Sequence, residues 1–187
     1  MLASASPRRR DLLSQIGVLP DETISADLDE SAEPGESPRE HAMRLARAKA
    51  ASIAKVRAKA YVLAADTVVA CGRRILPKAE DEASARRCLA LLSGRAHRVY
   101  TAVALIGPDG ALKERLVETR VKVKRLSAAE VDAYITRGEW RGKAGGYAIQ
   151  GCFAAHVISI IGSYSNVVGL PLFETKALLD GAGWRAE

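Results

Sequence analysis

The chain has 187 residues, 48% of them hydrophobic, and a formal net charge of +6. That length buries one sizeable core but falls short of what two independent domains usually need, so one domain over 1–187 is expected. No stretch approaches the roughly 20 unbroken apolar residues of a membrane span. The start, Met1-Leu2-Ala3-Ser4, has no basic-then-apolar leader. Cys71, Cys88 and Cys152 lack the close spacing of zinc pairs, and their odd number argues against a complete disulfide framework. The chain therefore reads as cytoplasmic, with no membrane partner. Its positive charge suits either nucleic acid or a small polyanion, and charge alone does not choose.

In chain order, Ser6-Pro7 opens a short helix through Leu12, Leu13 and Ile16, closed by Gly17. Leu19 to Leu28 is extended or irregular. After the loop Ser31 to Pro38, a long helix starts at Ser37-Pro38 and runs through Ala42, Leu45, Ile53 and Val56, ending near Ala60. Tyr61 to Ala70 has the length and branching of a buried strand. Gly72-Arg73-Arg74 then turns into a short return strand at Ile75-Leu76. Ala83 to Leu92 is helical. Arg98 to Ile106 and Arg115 to Leu126 form a long hairpin about Gly107-Pro108-Asp109-Gly110. Ser127-Ala128-Ala129-Glu130 is a capping box for a helix through Ile135. Gly142 to Gly151 and Ser163 to Leu172 are loops, and Leu172 to Leu179 is a last helix ended by Gly181. The fold class is mixed α/β.

Several residues do not fit their patterns. Arg8, Arg9 and Arg10 stand at a helix N-terminus, where cations are unfavourable unless an anion compensates them. Phosphate is the natural ligand there, with Ser6 beside it; the alternative is that Ser6 only caps the helix and the arginines are solvated. Lys49 falls on the apolar stripe of its helix and points inward, which requires an anionic partner unless it snorkels. Arg44, Arg47 and Lys55 lie off the stripe and read as solvated. Asp66 interrupts an apolar strand, so it binds a metal, pairs with a cation or marks the strand's end. Lys78, after the return strand, is either brought back beside Asp66 or stays at the surface. Asp29-Glu30 adds carboxylates of the kind that hold Mg²⁺ beside phosphates; the alternative is that they are simply solvated loop acids. The glycine-punctuated loop Gly142 to Gly151 lacks Walker and dinucleotide spacing; either it is a plain turn, or its backbone approaches a ligand with Tyr147 and Gln150 able to contact a base. His41, His97 and His156 form no metal triad that spacing reveals.

Taken together the segments resemble the Maf family of nucleotide pyrophosphatases over essentially the whole chain. The resemblance rests on Leu2-Ala3-Ser4-Ala5-Ser6-Pro7-Arg8-Arg9, Asp29-Glu30, Arg44 to Ala50, Ala65-Asp66-Thr67-Val68-Val69, Leu91-Leu92-Ser93-Gly94 and Gly169-Leu170-Pro171-Leu172. The loop Lys143 to Gly151 is similar to that of the branch acting on dTTP and UTP, and differs from that of the 7-methyl-GTP branch. The resemblance implies an elongated mixed sheet flanked by helices, with two lobes about a central cleft, related to inosine triphosphatases and often a homodimer. It implies Asp66 as proton acceptor, Lys49 and Lys78 on the phosphates, and Arg8, Thr67 and Gln150 in substrate choice, with Ser6 and Arg9 beside them. Glu30 and Asp66 would lie at a Mg²⁺ or Mn²⁺ ion. Two departures are Ala79, where the family usually has proline, and Cys152-Phe153-Ala154-Ala155-His156, where it tends to small residues. The expected activity is hydrolysis of a nucleoside triphosphate to the monophosphate and pyrophosphate, with no specific nucleic-acid partner. The rival from another class is a non-catalytic nucleic-acid-binding module, and the nearer rival is a housecleaning enzyme for 7-methyl-GTP or other modified nucleotides.

Overall fold

A computed structural model describes residues 1–185. The chain runs β1 (Leu2–Ala3), α1 (Pro7–Gln15), α2 (Pro38–Val56), β2 (Val62–Cys71), β3 (Arg74–Leu76), α3 (Glu82–Leu92), β4 (Ala96–Ile106) and β5 (Leu112–Val123). It continues with α4 (Ala128–Arg137), a 3₁₀ helix at Cys152–His156, β6 (Val157–Ile161), α5 (Tyr164–Val168) and α6 (Leu172–Gly181). This is the mixed α/β class expected. Among the described residues no helix is long and apolar enough to cross a membrane.

The sheet has the order β1-β2-β4-β5-β6, with β3 also paired to β2. Among the described residues only strand β1 is parallel to its neighbour in the sheet. The longest ladders, β2 with β4 and β4 with β5, are antiparallel, the second as its hairpin signal requires. Strand pleating sends alternate side chains to opposite faces. Leu63, Ala65 and Val69 of β2 join a core with α1, α3 and α6, while Val62, Ala64, Val68 and Ala70 join a second core under α2. One sheet thus separates two cores, back to back.

α2 starts where its cap chemistry places it: the Ser37 side chain accepts from the Glu40 N–H, and Glu40 returns the bond. It ends at Val56, earlier than the expected Ala60, because Arg57 leaves helical geometry and Lys59 adopts a positive φ of 64°. That turn delivers Tyr61 to the Met1 ammonium at 2.8 Å. Ser163 to Leu172, expected as loop, contains the five-residue α5, capped by the Ser163 side chain on the Asn166 N–H.

The two short partners of β2 share one edge of it. β1 pairs at Leu63 and Ala64, and β3 at Val69 to Cys71. Between them, at Ala65 to Val68, neither named strand covers that edge. The sheet is notched there, and the notch determines where a ligand can reach both faces.

Candidate active site

Asp66 and Thr67 lie at the notch and, being consecutive in a strand, face opposite cores. Asp66 points under α2. Three turns along that helix Lys49 comes down on the apolar side, 7% exposed, and its Nζ lies 2.6 Å from Asp66 Oδ1. A buried ammonium and a carboxylate that is 5% exposed satisfy each other's need for a partner. The inward orientation read from helical spacing holds, and Asp66 sits in mid-strand, not at its end.

The same Nζ lies 2.5 Å from Glu30 Oε1, and Lys78 Nζ reaches Glu30 Oε2. Lys78, Glu30, Lys49 and Asp66 therefore alternate in sign along one chain of contacts. Lys78 meets Glu30, and not Asp66 as the return strand suggested. Burial alone would raise the Glu30 pKa, but hydrogen bonds and charge from Lys49 and Lys78 outweigh it and hold the carboxyl at about 2. Its sequence neighbour Asp29 plays no part, since it is exposed and accepts from its own loop at the Ser31 N–H.

On the other face, Thr67 Oγ1 lies 3.0 Å from Thr101 Oγ1 and receives a bond from Arg9 at 3.2 Å. Arg9 also donates to Ser4 Oγ and to the Gly169 carbonyl, each at 2.9 Å. Its guanidinium thus ties the first helix to β2 and to the turn after α5. Thr101 donates onward to the Asn166 carbonyl at 3.0 Å, and Asn166 Nδ2 donates to Val99 O and Thr119 Oγ1. This polar network beneath α5 escaped sequence reading, because its members are far apart in the chain and individually ordinary.

The notch opens into a cleft of about 470 Å³, in the size range of small-molecule sites. Ser6, Arg8, Arg9, Glu30, Lys49, Asp66, Thr67, Lys78 and Gln150 all line it, whereas Arg10 and Asp29 do not. Ser6 occupies the helix N-cap position, yet its side chain makes no capping bond and remains available. Arg141 and Lys143 also line the cleft and were missed as site residues. A cation inside a glycine-punctuated loop was the signal that could have found Lys143. Against six cations in the lining, Arg8, Arg9, Lys49, Lys78, Arg141 and Lys143, stand two carboxylates, Glu30 and Asp66.

Burial lowers the pKa of Arg8, and burial followed by the nearby Arg8 charge lowers that of Lys143. Burial also lowers Arg9, against the pull of Asp66. Three crowded, partly desolvated cations favour a polyanion between them.

The loop carrying Gln150 forms the far wall. Gly145 has φ +69°, and a Cβ there would come within 2.8 Å of Val69, so only glycine lets the loop press on β2. The loop is tied to the segment bearing Lys78, with Ala79 N–H on Lys143 O at 3.1 Å and Gly145 N–H on Pro77 O at 3.0 Å. Ala79 is fully buried and donates there, a bond that the family's proline could not make. Gln150 is exposed at the cleft. Tyr147 departs from its sequence reading: its hydroxyl turns into the core onto His97, 2.7 Å away, instead of toward a ligand.

Comparison of the sequence with known proteins identifies a family. The model of the Maf-like protein family matches residues 1–182. A dTTP/UTP pyrophosphatase of Paramagnetospirillum magneticum is 62% identical over 184 residues, covering 98% of this chain and 97% of that protein. One of Caulobacter vibrioides is 59% identical over 185 residues, covering 99% and 96%. Among solved structures, a nucleoside-triphosphatase (dITP/XTP pyrophosphatase) of Mycobacterium abscessus aligns with 68% of this chain and 73% of its own at 22% identity, with a TM-score of 0.44. The family match spans nearly every residue and the relatives are alike from end to end, so the chain belongs to the Maf-like protein family.

Proposed function

We propose that the protein hydrolyses dTTP and UTP between the α and β phosphates, giving the nucleoside monophosphate and pyrophosphate. The observation that carries the reading is the alternating chain Lys78–Glu30–Lys49–Asp66 on the floor of a cleft otherwise lined by cations. The names of the relatives supply the substrates.

In the reaction, water attacks the α phosphorus, a new P–O bond forms, and the bond to the bridging oxygen breaks with its electron pair leaving on pyrophosphate. Asp66 is the proton acceptor. Lys49 engages its Oδ1 and so orients the carboxylate, leaving Oδ2 for the water. Lys49, Lys78 and Arg8 stabilise charge developing on the phosphates, since such chemistry is mostly positioning and electrostatics. Arg9 acts differently, with Nε and both terminal nitrogens already bonded to protein groups, and holds Thr67 and Gly169 in place.

Among the described residues no cluster of three or more His, Cys, Asp or Glu side chains could hold a metal alone. Mg²⁺ and Mn²⁺, however, accept hard oxygen donors and commonly bind through one or two carboxylates plus substrate phosphates. Glu30 and Asp66 fit that mode and are the residues that would hold the ion. Once bound, it would supply Lewis-acid stabilisation of the phosphates.

Gln150 presents an amide that both donates and accepts, complementary to the imide edge of uracil or thymine. Bases with the wrong pattern leave these groups unpaired, at roughly 1–3 kcal/mol each. The test is pyrophosphate release from dTTP, UTP, CTP, ATP, GTP and 7-methyl-GTP with Mg²⁺ and with Mn²⁺. dTTP and UTP should exceed the others by at least about tenfold in kcat/KM. Faster turnover of a purine or of 7-methyl-GTP would refute the substrate assignment, and absence of pyrophosphate from every arm would refute the reaction.

A further inference from the structure

The loop that carries Gln150 is held from behind by side-chain contacts that lie away from the cleft, although Tyr147 itself also lines it. Tyr147 sends its hydroxyl inward to His97 Nε2 at 2.7 Å, and the two rings meet edge-on with centroids 5.4 Å apart. The next residue, Ala148, donates its N–H to the Tyr134 hydroxyl at 3.1 Å. Phe153 packs against both tyrosines, 4.8 Å from Tyr147 and 5.1 Å from Tyr134.

His97 is 1% exposed near the start of β4 and lies outside the cleft lining. Burial pushes its pKa down to about 4, so the imidazole is neutral near pH 7 and has one donor and one acceptor nitrogen. Among the described residues its Nδ1 has no partner. If Tyr147 donates to Nε2, that single nitrogen goes unpaired; if His97 donates, the tyrosine proton and the Nδ1 lone pair are both stranded. The first arrangement leaves less unsatisfied and makes the tyrosine hydroxyl a donor of fixed direction.

A buried imidazole with one unpaired nitrogen is costlier than an apolar side chain of similar size. What it contributes in return is direction: a bond to one specific rotamer of Tyr147, three residues before the side chain that meets the base. We infer that His97 is a positioning residue for base discrimination, fixing through the Tyr147 hydroxyl the backbone that presents Gln150 and taking no part in the phosphate chemistry. The inference rests on the dTTP/UTP reading above. Small misplacements of a hydrogen-bonding group are enough to erode discrimination, which depends on unpaired groups being held where a wrong base cannot satisfy them.

The experiment compares His97→Leu, His97→Gln, Tyr147→Phe and the double variant His97→Leu/Tyr147→Phe, measuring kcat and KM for dTTP and CTP together with thermal unfolding. His97→Leu strands the tyrosine hydroxyl and should lower stability. The double variant removes both polar partners and should regain most of it. Positioning predicts that the double variant, though restabilised, still loses about fivefold or more in its dTTP-to-CTP ratio of kcat/KM. It further predicts that His97→Leu keeps kcat at saturating dTTP within about threefold, and that His97→Gln, whose amide can still meet the hydroxyl, recovers part of the ratio. Tyr147→Phe, which deletes one oxygen, carries the same test of the ratio should the leucine variants not fold. A wild-type ratio in the double variant, or in Tyr147→Phe where that variant stands in, overturns the role of His97 alone. A wild-type enzyme that does not distinguish dTTP from CTP overturns the base assignment, and the role of His97 with it.

Discussion

Removing the Lys49 ammonium would leave two carboxylates facing each other, Asp66 at 2.6 Å and Glu30 at 2.5 Å from the vacated position. A broken buried pair typically costs about 3–5 kcal/mol, and Lys49→Met should fall near the lower figure because Glu30 is partly exposed and keeps Lys78. Glu30 fixes the sign of the pH dependence. Its folded pKa, about 2, is depressed from 4.5, so its contribution is present above about pH 4.5 and lost as pH falls toward 2. The stability gap between wild type and Lys49→Met, read by urea unfolding, should therefore narrow between pH 7 and pH 3. A gap independent of pH would mean that Lys49 does not hold Glu30 in solution. Asp66→Asn makes a different prediction, because the amide is nearly isosteric but cannot take a proton from water. Turnover of dTTP should drop at least about 100-fold with circular dichroism unchanged, and near-normal turnover would remove Asp66 as the base.

The charged cluster was legible at the level of elements because it violated their patterns. Lys49 stood on an apolar helical stripe, and Asp66 stood in an apolar strand. Glu30 carried no such signal, being one of two acids in an irregular stretch; Gln150 was read from its glycine-punctuated loop, and Thr67 entered only through the family resemblance. β6 was missed because five residues, Val157–Ile161, give too short a run after a glycine-rich loop. β1 was missed because two residues have no periodicity. The notch, set by how far those short strands extend, depends on pairing that no local pattern encodes. Arg44, read as solvated, is half-buried on Glu36, while Arg47 is exposed as read and pairs with Glu114 at the surface. Arg44 donates to Glu36 at 2.7 and 2.9 Å, and together with the backbone of Glu33 and with His41 it holds that carboxyl at about 2. The start of α2 is thereby fixed twice, by this clamp and by the Ser37 box. Ser37→Ala should cost about 1 kcal/mol and lower the melting temperature by roughly 2–4 °C. Because Lys49 lies three turns further along the helix, kcat for dTTP should stay unchanged. A loss of activity larger than the loss of stability explains would show that the helix start, and not its middle, governs the site.

At the scale of the molecule, one sheet serves two cores, and the cleft draws residues from both through the notch. Lys49 and Asp66 belong to the side under α2, while Arg9 and Thr67 belong to the side under α1 and α5. β2 and β4 run the length of the interface, each contributing alternate side chains to either core, so neither core can lose its order without stripping the other of a wall. Thermal unfolding should accordingly show one transition, with equal calorimetric and van't Hoff enthalpies. A ligand that spans the notch stabilises the whole molecule by mass action, about 2.7 kcal/mol at 100 times its Kd, which for a chain of this size is a rise of roughly 5–10 °C. A dTTP analogue with a non-hydrolysable α–β bridge, added with Mg²⁺, should move the single transition upward by that amount. Raising the salt should shrink the shift, since the recognition is between a cationic cleft and a polyphosphate. Two transitions, only one of them responsive to the analogue, would mean that the cores fold separately and that the ligand contacts a single face. The notch would then be a gap in the sheet and not the route by which both faces reach the substrate.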